Sequence, residues 1–169
     1  MKRPVLIAGI GNIFQGDDAF GVEVARKLAK LEFPENVRLM DAGIRGMDLA
    51  FALLEEYECI VLVDATARGG APGTLYTIEI DPDGMPEASL ANAHSLEPVR
   101  VLALAKSMGA QFRNVLLVGC EPLVLDRDES GYIGLSEPVA AAVEPAVQSI
   151  QQLVGKFTRE TEVYSHECA

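Results

Sequence analysis

Asp17 and Asp18 stand side by side in GNIFQGDDAFG (11–21), directly after the apolar run PVLIAGI. Asp64 ends a second apolar run, CIVLVDA (59–65), and His94 stands in AHSL (93–96), just ahead of a segment with helical period. Carboxylates and an imidazole offered from separate loops form a donor set for a divalent metal of borderline softness. The other histidine, His166, belongs to the polar tail, so His94 is the imidazole candidate of the chain body. Cys59, Cys120 and Cys168 are far apart and form no CxxC pair. A closed structural zinc site is therefore not indicated, and an open, weak or borrowed metal site fits better.

Each residue also has an ordinary structural reading. Asp17 and Asp18 suit the amino end of a helix, where the macrodipole favours negative charge. Asp64 could be satisfied by Thr66 or by loop amides, and His94 could cap a helix. Other chemistries are poorly supported. Gly9-Ile10-Gly11 begins like a dinucleotide fingerprint, but Phe14 stands where the third glycine belongs, and the two aspartates would repel a pyrophosphate. There is no GK[ST] and no GxSxG. Ser95 adjoins His94, a spacing at which helical side chains do not face each other. Cys120 reads as a small buried side chain at a strand end.

Something must bring these residues together. Apolar runs of strand length alternate with segments of helical period. PVLIAG (4–9), VRLMDA (37–42), CIVLVDA (59–65), TLYTIEI (74–80) and NVLLVG (114–119) read as strands. VEVARKLAKL (22–31), with Val24, Leu28 and Leu31 on one face, reads as a helix, as do MDLAFALLEEY (47–57) and the segment after His94. A last helix begins near Ser136 as its N-cap, with Pro138 in the first turn and a core stripe of Val139, Val143, Ala146, Ile150, Leu153 and Phe157.

The pattern predicts an α/β fold: a mostly parallel five-stranded twisted sheet with one antiparallel strand and helices on both faces. The Gly/Pro loop at 66–73 is too short for a crossover helix, so the fourth strand is expected to run against the third. Ligands of such sheets bind at the carboxyl ends of the strands. That rule gathers Asp17, Asp18, Asp41, Asp64, His94, Cys120 and Glu121 on one rim. Residues 1–157 are expected to form one domain, and the polar segment 158–169 a flexible tail.

Composition narrows the function. The 169 residues are 49% hydrophobic and carry a formal net charge of −11. An acidic chain is unsuited to nucleic acid or an anionic membrane. It suggests a well-behaved monomer. The start reads as a first strand and not as a secretory signal, and no stretch is long enough to span a bilayer. With the cysteine usage, this points to the cytoplasm.

Several motifs, in order from residue 4 to about 155, resemble those of the hydrogenase maturation endopeptidases. They are GIGNIFQGDDAFG (9–21), DAGIRGMDL (41–49), VDATARGGAPGT (63–74), AHSL (93–96) and VGCEP (118–122). The resemblance implies a peptidase that removes a C-terminal peptide from the large-subunit precursor of a nickel–iron hydrogenase after nickel insertion. Carried over by motif, the metal-sensing site falls on Asp18, Asp64 and His94, with Asp41 of the DxG motif as a further candidate near the cleft. Nickel would come with the nickel-loaded precursor, and no organic cofactor is implied. Two other readings compete: a metal-dependent maturation chaperone that grips without cutting, and a small-molecule hydrolase on a related sheet.

Overall fold

The computed structural model describes residues 2–84, 97–123 and 133–166. Five strands form one sheet: β1 (Val5–Ile10), β2 (Val37–Gly43), β3 (Cys59–Ala65), β4 (Leu75–Glu79) and β5 (Val115–Cys120). Their order across the sheet is β2-β1-β3-β5-β4. β4 is antiparallel and the other pairings are parallel. The fourth strand therefore has the expected direction, but its partner is β5 rather than β3. The loop after β3 crosses over the end of β5 to reach the sheet edge. Thr66 N–H donates to the Cys120 carbonyl and Glu121 N–H to the Thr74 carbonyl, each at 2.8 Å, and these bonds hold the crossing in place.

Four helices cover the sheet: α1 (Phe20–Leu28), α2 (Gly46–Ala52), α3 (Glu97–Ser107) and α4 (Glu137–His166). Strand residues alternate between two cores, as the pleat requires. Val5, Ile7, Val61 and Val63 pack under α1 and α4 with Phe20, Leu28, Val143 and Ile150. Leu6, Ala8, Ile60 and Leu62 pack under α2 and α3 with Leu49, Leu53 and Leu102. β1 is apolar throughout and β3 is apolar up to Asp64, because both faces of each strand are covered.

The element boundaries depart from the sequence pattern in three places, each with a local cause. α1 stops at Leu28, so Leu31 turns outward and is 40% exposed. Phe33 packs against that core from the following loop. α2 ends at Ala52 rather than running to Tyr57, because the Tyr57 hydroxyl captures the Ala52 carbonyl at 2.9 Å and the chain leaves through a tight turn. α4 does not end at Phe157 but continues to His166. The Thr158 hydroxyl and Arg159 Nε bond back to the Val154 and Gly155 carbonyls, which suits a continuing helix. No helix among the described residues is long and apolar enough to cross a membrane.

Candidate active site

The sheet order reverses between β1 and β3: the chain leaves β1 for β2 on one side and returns to β3 on the other. A crevice opens at such a switch point, at the carboxyl ends of the strands. A cavity of about 290 Å³ occupies it, lined by Gln15 and Asp18 after β1, Gly43 and Ile44 at the end of β2, and Asp64 of β3. Two of the three sequence-predicted metal-site residues thus meet in one cavity.

Asp18 is half-buried, and its Oδ2 accepts the Asn12 N–H at 2.8 Å. This bond folds the turn 12–18 back on itself and fixes the carboxylate. Asp64 is only 6% exposed, and its Oδ1 accepts the N–H of Ala65 at 2.9 Å. It shares the pleat of Ile60 and Leu62, so it faces the side of the sheet covered by α2 and α3.

Close backbone approach makes this geometry possible. A Cβ on Gly21 would collide with the carbonyl oxygens of Val63 and Ile10, and one on Gly9 would stand 2.8 Å from the Ala25 Cβ. Without those side chains the amino end of α1 sits directly on β1 and β3. The short 3₁₀ turn Gly16–Ala19 is thereby held beside the end of β3.

Asp17, the neighbour of Asp18, does different work. It is fully buried and accepts the Leu123 N–H at 2.9 Å, the Ser136 N–H at 2.7 Å and the Ser136 hydroxyl at 2.7 Å. Ser136 does precede α4, but its hydroxyl goes to Asp17 instead of capping the helix. Asp17 therefore clamps the segment after β5 and the start of α4 onto the turn after β1.

Asp41 does not line the same cavity. It lies on an adjoining pocket of about 310 Å³ with Phe14, Arg26 and Arg45, and the two spaces share Gly11, Asn12, Gly43 and Ile44 as a common wall. Arg45 donates to the Asp41 backbone carbonyl.

His94 lies outside the described residues. α3 starts three residues after it. The carboxyl end of α3 is tied to the turn after β4 by Lys106, which bonds the Pro82 carbonyl at 3.0 Å and Asp83 at 2.7 Å. Val101, nearer the amino end, lies against Gly46 just beyond β2. The helix thus descends from the rim that carries Asp18 and Asp64, the direction the sequence pattern requires.

The model for the hydrogenase maturation protease family (HycI) matches residues 22–153. The chain belongs to the hydrogenase maturation protease family. It is 40% identical over 147 residues to the hydrogenase expression/formation protein HupM of Azotobacter chroococcum, covering 85% of this chain and 68% of that protein. Its fold is similar to that of the hydrogenase maturating endopeptidase HybD from E. coli, with a TM-score of 0.75, 26% identity and coverage of 90% and 93% of the two chains. It is also similar to the hydrogenase 2 maturation peptidase of a Thaumarchaeota archaeon, with a TM-score of 0.69, 34% identity and coverage of 90% and 99%. This maturation protease is therefore an endopeptidase of hydrogenase maturation.

The two described cysteines are not set up as nucleophiles. Burial pushes the Cys59 thiol up to about 12 and the Cys120 thiol up to about 11, the latter helped by Asp17 and Glu121. Thiols that stay protonated at neutral pH are poor nucleophiles. Among the described residues no three His, Cys, Asp or Glu side chains gather as a metal set.

The structure gives a role to one rim residue that the sequence placed there without assigning it one. Glu121 follows β5, is 5% exposed, and accepts the Arg68 N–H at 2.8 Å, the Gly69 N–H at 3.3 Å and the Tyr76 hydroxyl at 2.8 Å. Burial pushes its carboxyl up, but these donors outweigh burial and hold it below the ordinary value. Glu121 so anchors the loop that follows Asp64. Its place directly after β5 put it on the rim; its hydrogen-bond partners lie some 45 to 53 residues away in the chain, so the role itself was not legible.

Proposed function

We propose that this protease removes a C-terminal peptide from the large-subunit precursor of a nickel–iron hydrogenase once nickel has been inserted. The observation that carries the reading is the convergence of Asp18 and Asp64 on one cavity at the switch point of the sheet. Two carboxylates alone are a hard-oxygen set, whereas a borderline metal also takes nitrogen and sulfur donors. In this reading His94 supplies the nitrogen, and the precursor brings nickel already held by its own cysteines. Nickel is thus part of the substrate. Asp18, Asp64 and His94 complete its coordination and thereby position the scissile bond. Water then adds to the carbonyl carbon, the carbon–nitrogen bond breaks, and the leaving amine takes a proton. A precursor without nickel offers nothing for the trio to hold and is left uncut. The protease works in the cytoplasm as a monomer, needs no organic cofactor, and its buried thiols Cys59 and Cys120 suit a reducing compartment.

The test mixes the protease with nickel-loaded and nickel-free precursor and weighs the products by intact-mass spectrometry. Loss of one C-terminal peptide from the loaded precursor alone is the expected result. Equal cleavage of both forms would remove the nickel requirement. Tight binding to the loaded precursor with no released peptide would replace the protease by a chaperone.

A further inference from the structure

A groove of about 640 Å³ runs between α2 and α3, with Met47, Val101 and Leu104 among its walls and Arg100 as the charged residue among its described lining. Of its lining, Met47 is 52% and Leu104 37% exposed, and Ile44, Phe51 and Met108, each within a turn of a lining residue along the chain, are exposed as well. Met47 and Phe51 are one turn apart, so they share a face of α2. Contiguous exposed apolar surface of this kind marks a partner site, and Met, Phe and Arg are the residue types enriched at the centres of interfaces.

We infer that this groove is the docking surface for the folded body of the precursor whose tail is cut. The inference rests on the function proposed above and identifies where that substrate is gripped. Continuity of the surface is the first argument. The Asp18–Asp64 cavity and the Phe14 pocket both end on Gly43 and Ile44, and the groove begins at Gly46 and Met47. Three residues from Ile44 to Met47 span about 10 Å at most. A protein with its tail in the cavity therefore lies across the loop 43–47 and reaches the groove. The side of the sheet is the second argument, because Asp64 faces the layer formed by α2 and α3. Charge is the third. Pairing two copies here would bring together two chains of net charge −11, which repel. The local charge at the groove is that of Arg100, which a separate protein with an apolar ridge and a carboxylate can pair. Binding energy gathered far from the reacting bond can hold the short tail in place for cleavage.

The test uses Met47→Asp, Leu104→Asp and their double variant, with circular dichroism and melting to verify the fold. Met47→Ser and Phe51→Ser replace any aspartate variant that fails to fold. Processing of nickel-loaded precursor is followed by intact mass over a range of concentrations. Binding to the precursor is measured by interferometry, with Asp64→Asn as the non-cleaving background. The expected result is a tenfold or greater rise in KM and in Kd for the double variant, with kcat at saturation within twofold of wild type. Unchanged KM and Kd would overturn the docking surface, as would a loss confined to kcat. A dimer of the wild type that Met47→Asp dissolves would assign the groove to a second copy and overturn it as well. If Asp64→Asn cleaves at the wild-type rate, the carboxylate reading fails while the KM and Kd comparison still decides the groove.

Discussion

Replacing Asp17 by alanine removes the acceptor for two backbone amides and the Ser136 hydroxyl in a fully buried setting. Donors stranded without water are costly, so Asp17→Ala is expected to lower unfolding free energy by about 3 kcal/mol, read from urea denaturation. Asp18→Asn keeps shape and packing and is expected to leave that midpoint nearly unchanged. Activity should reverse the order: Asp18→Asn, Asp64→Asn and His94→Ala each lose about 10²-fold or more in precursor processing, measured by mass spectrometry. Glu121 has a pH signature of its own. Its carboxyl lies below the ordinary 4.5, so its stabilising contribution is complete above that pH and is lost as pH falls through the folded value. The melting difference between wild type and Glu121→Gln should therefore be largest near neutrality and vanish in acid. The two adjacent aspartates show how far residue types reach. Their acidity and place after the first strand were legible in the chain. Which of them would be buried under Ser136 and which would face a cavity depended on where α4 begins in space, 119 residues away from Asp17.

At the scale of elements, the site depends on how closely α1 approaches the sheet. Gly21→Ala puts a methyl group against the carbonyls of Val63 and Ile10, backbone that cannot swing aside. A loss of about 3 kcal/mol is expected, with the urea midpoint as the readout. Gly46→Ala is the control: the added carbon would meet only the Val101 side chain at 3.5 Å, an ordinary contact, and stability should stay within about 0.5 kcal/mol. Strand runs were readable because doubly covered parallel strands are apolar along most of their length, as in CIVLV of β3, which forms at the expected residues. Helix ends were less readable. α2 is cut short by the Tyr57 hydroxyl and α1 by a turn that sends Leu31 into solvent. The first is a side-chain contact and the second a backbone turn, and both are set by the assembled fold.

For the whole molecule, charge matters most. A net charge of −11 on 169 residues makes the folded chain repel itself. Salt screens that repulsion, while exposed ion pairs such as Lys27–Glu144 contribute little in either direction. The melting temperature should therefore rise between about 10 mM and about 150 mM sodium chloride, where the Debye length falls to about 8 Å. A fall would mean that the surface ion pairs outweigh the repulsion. The order β2-β1-β3-β5-β4 sets the position of the active cavity, because the reversal between β1 and β3 opens the crevice into which Asp18 and Asp64 project.

By itself the sequence determined the α/β class, the five strands and the direction of the fourth, because local periodicity and loop length encode them; it offered Asp18, Asp64 and His94 as candidates through the resemblance of its motifs to a family. Tertiary structure alone decided that β4 pairs with β5, that Glu121 anchors the crossing loop, and that Asp17 is a clamp while Asp18 faces the cavity. It also set Asp41 in the adjoining pocket and formed, among the described residues, an apolar groove between α2 and α3. These are contacts between residues distant in the chain. Their partners are chosen by packing and by the need to satisfy buried polar groups, and neither is written in any local stretch of residues.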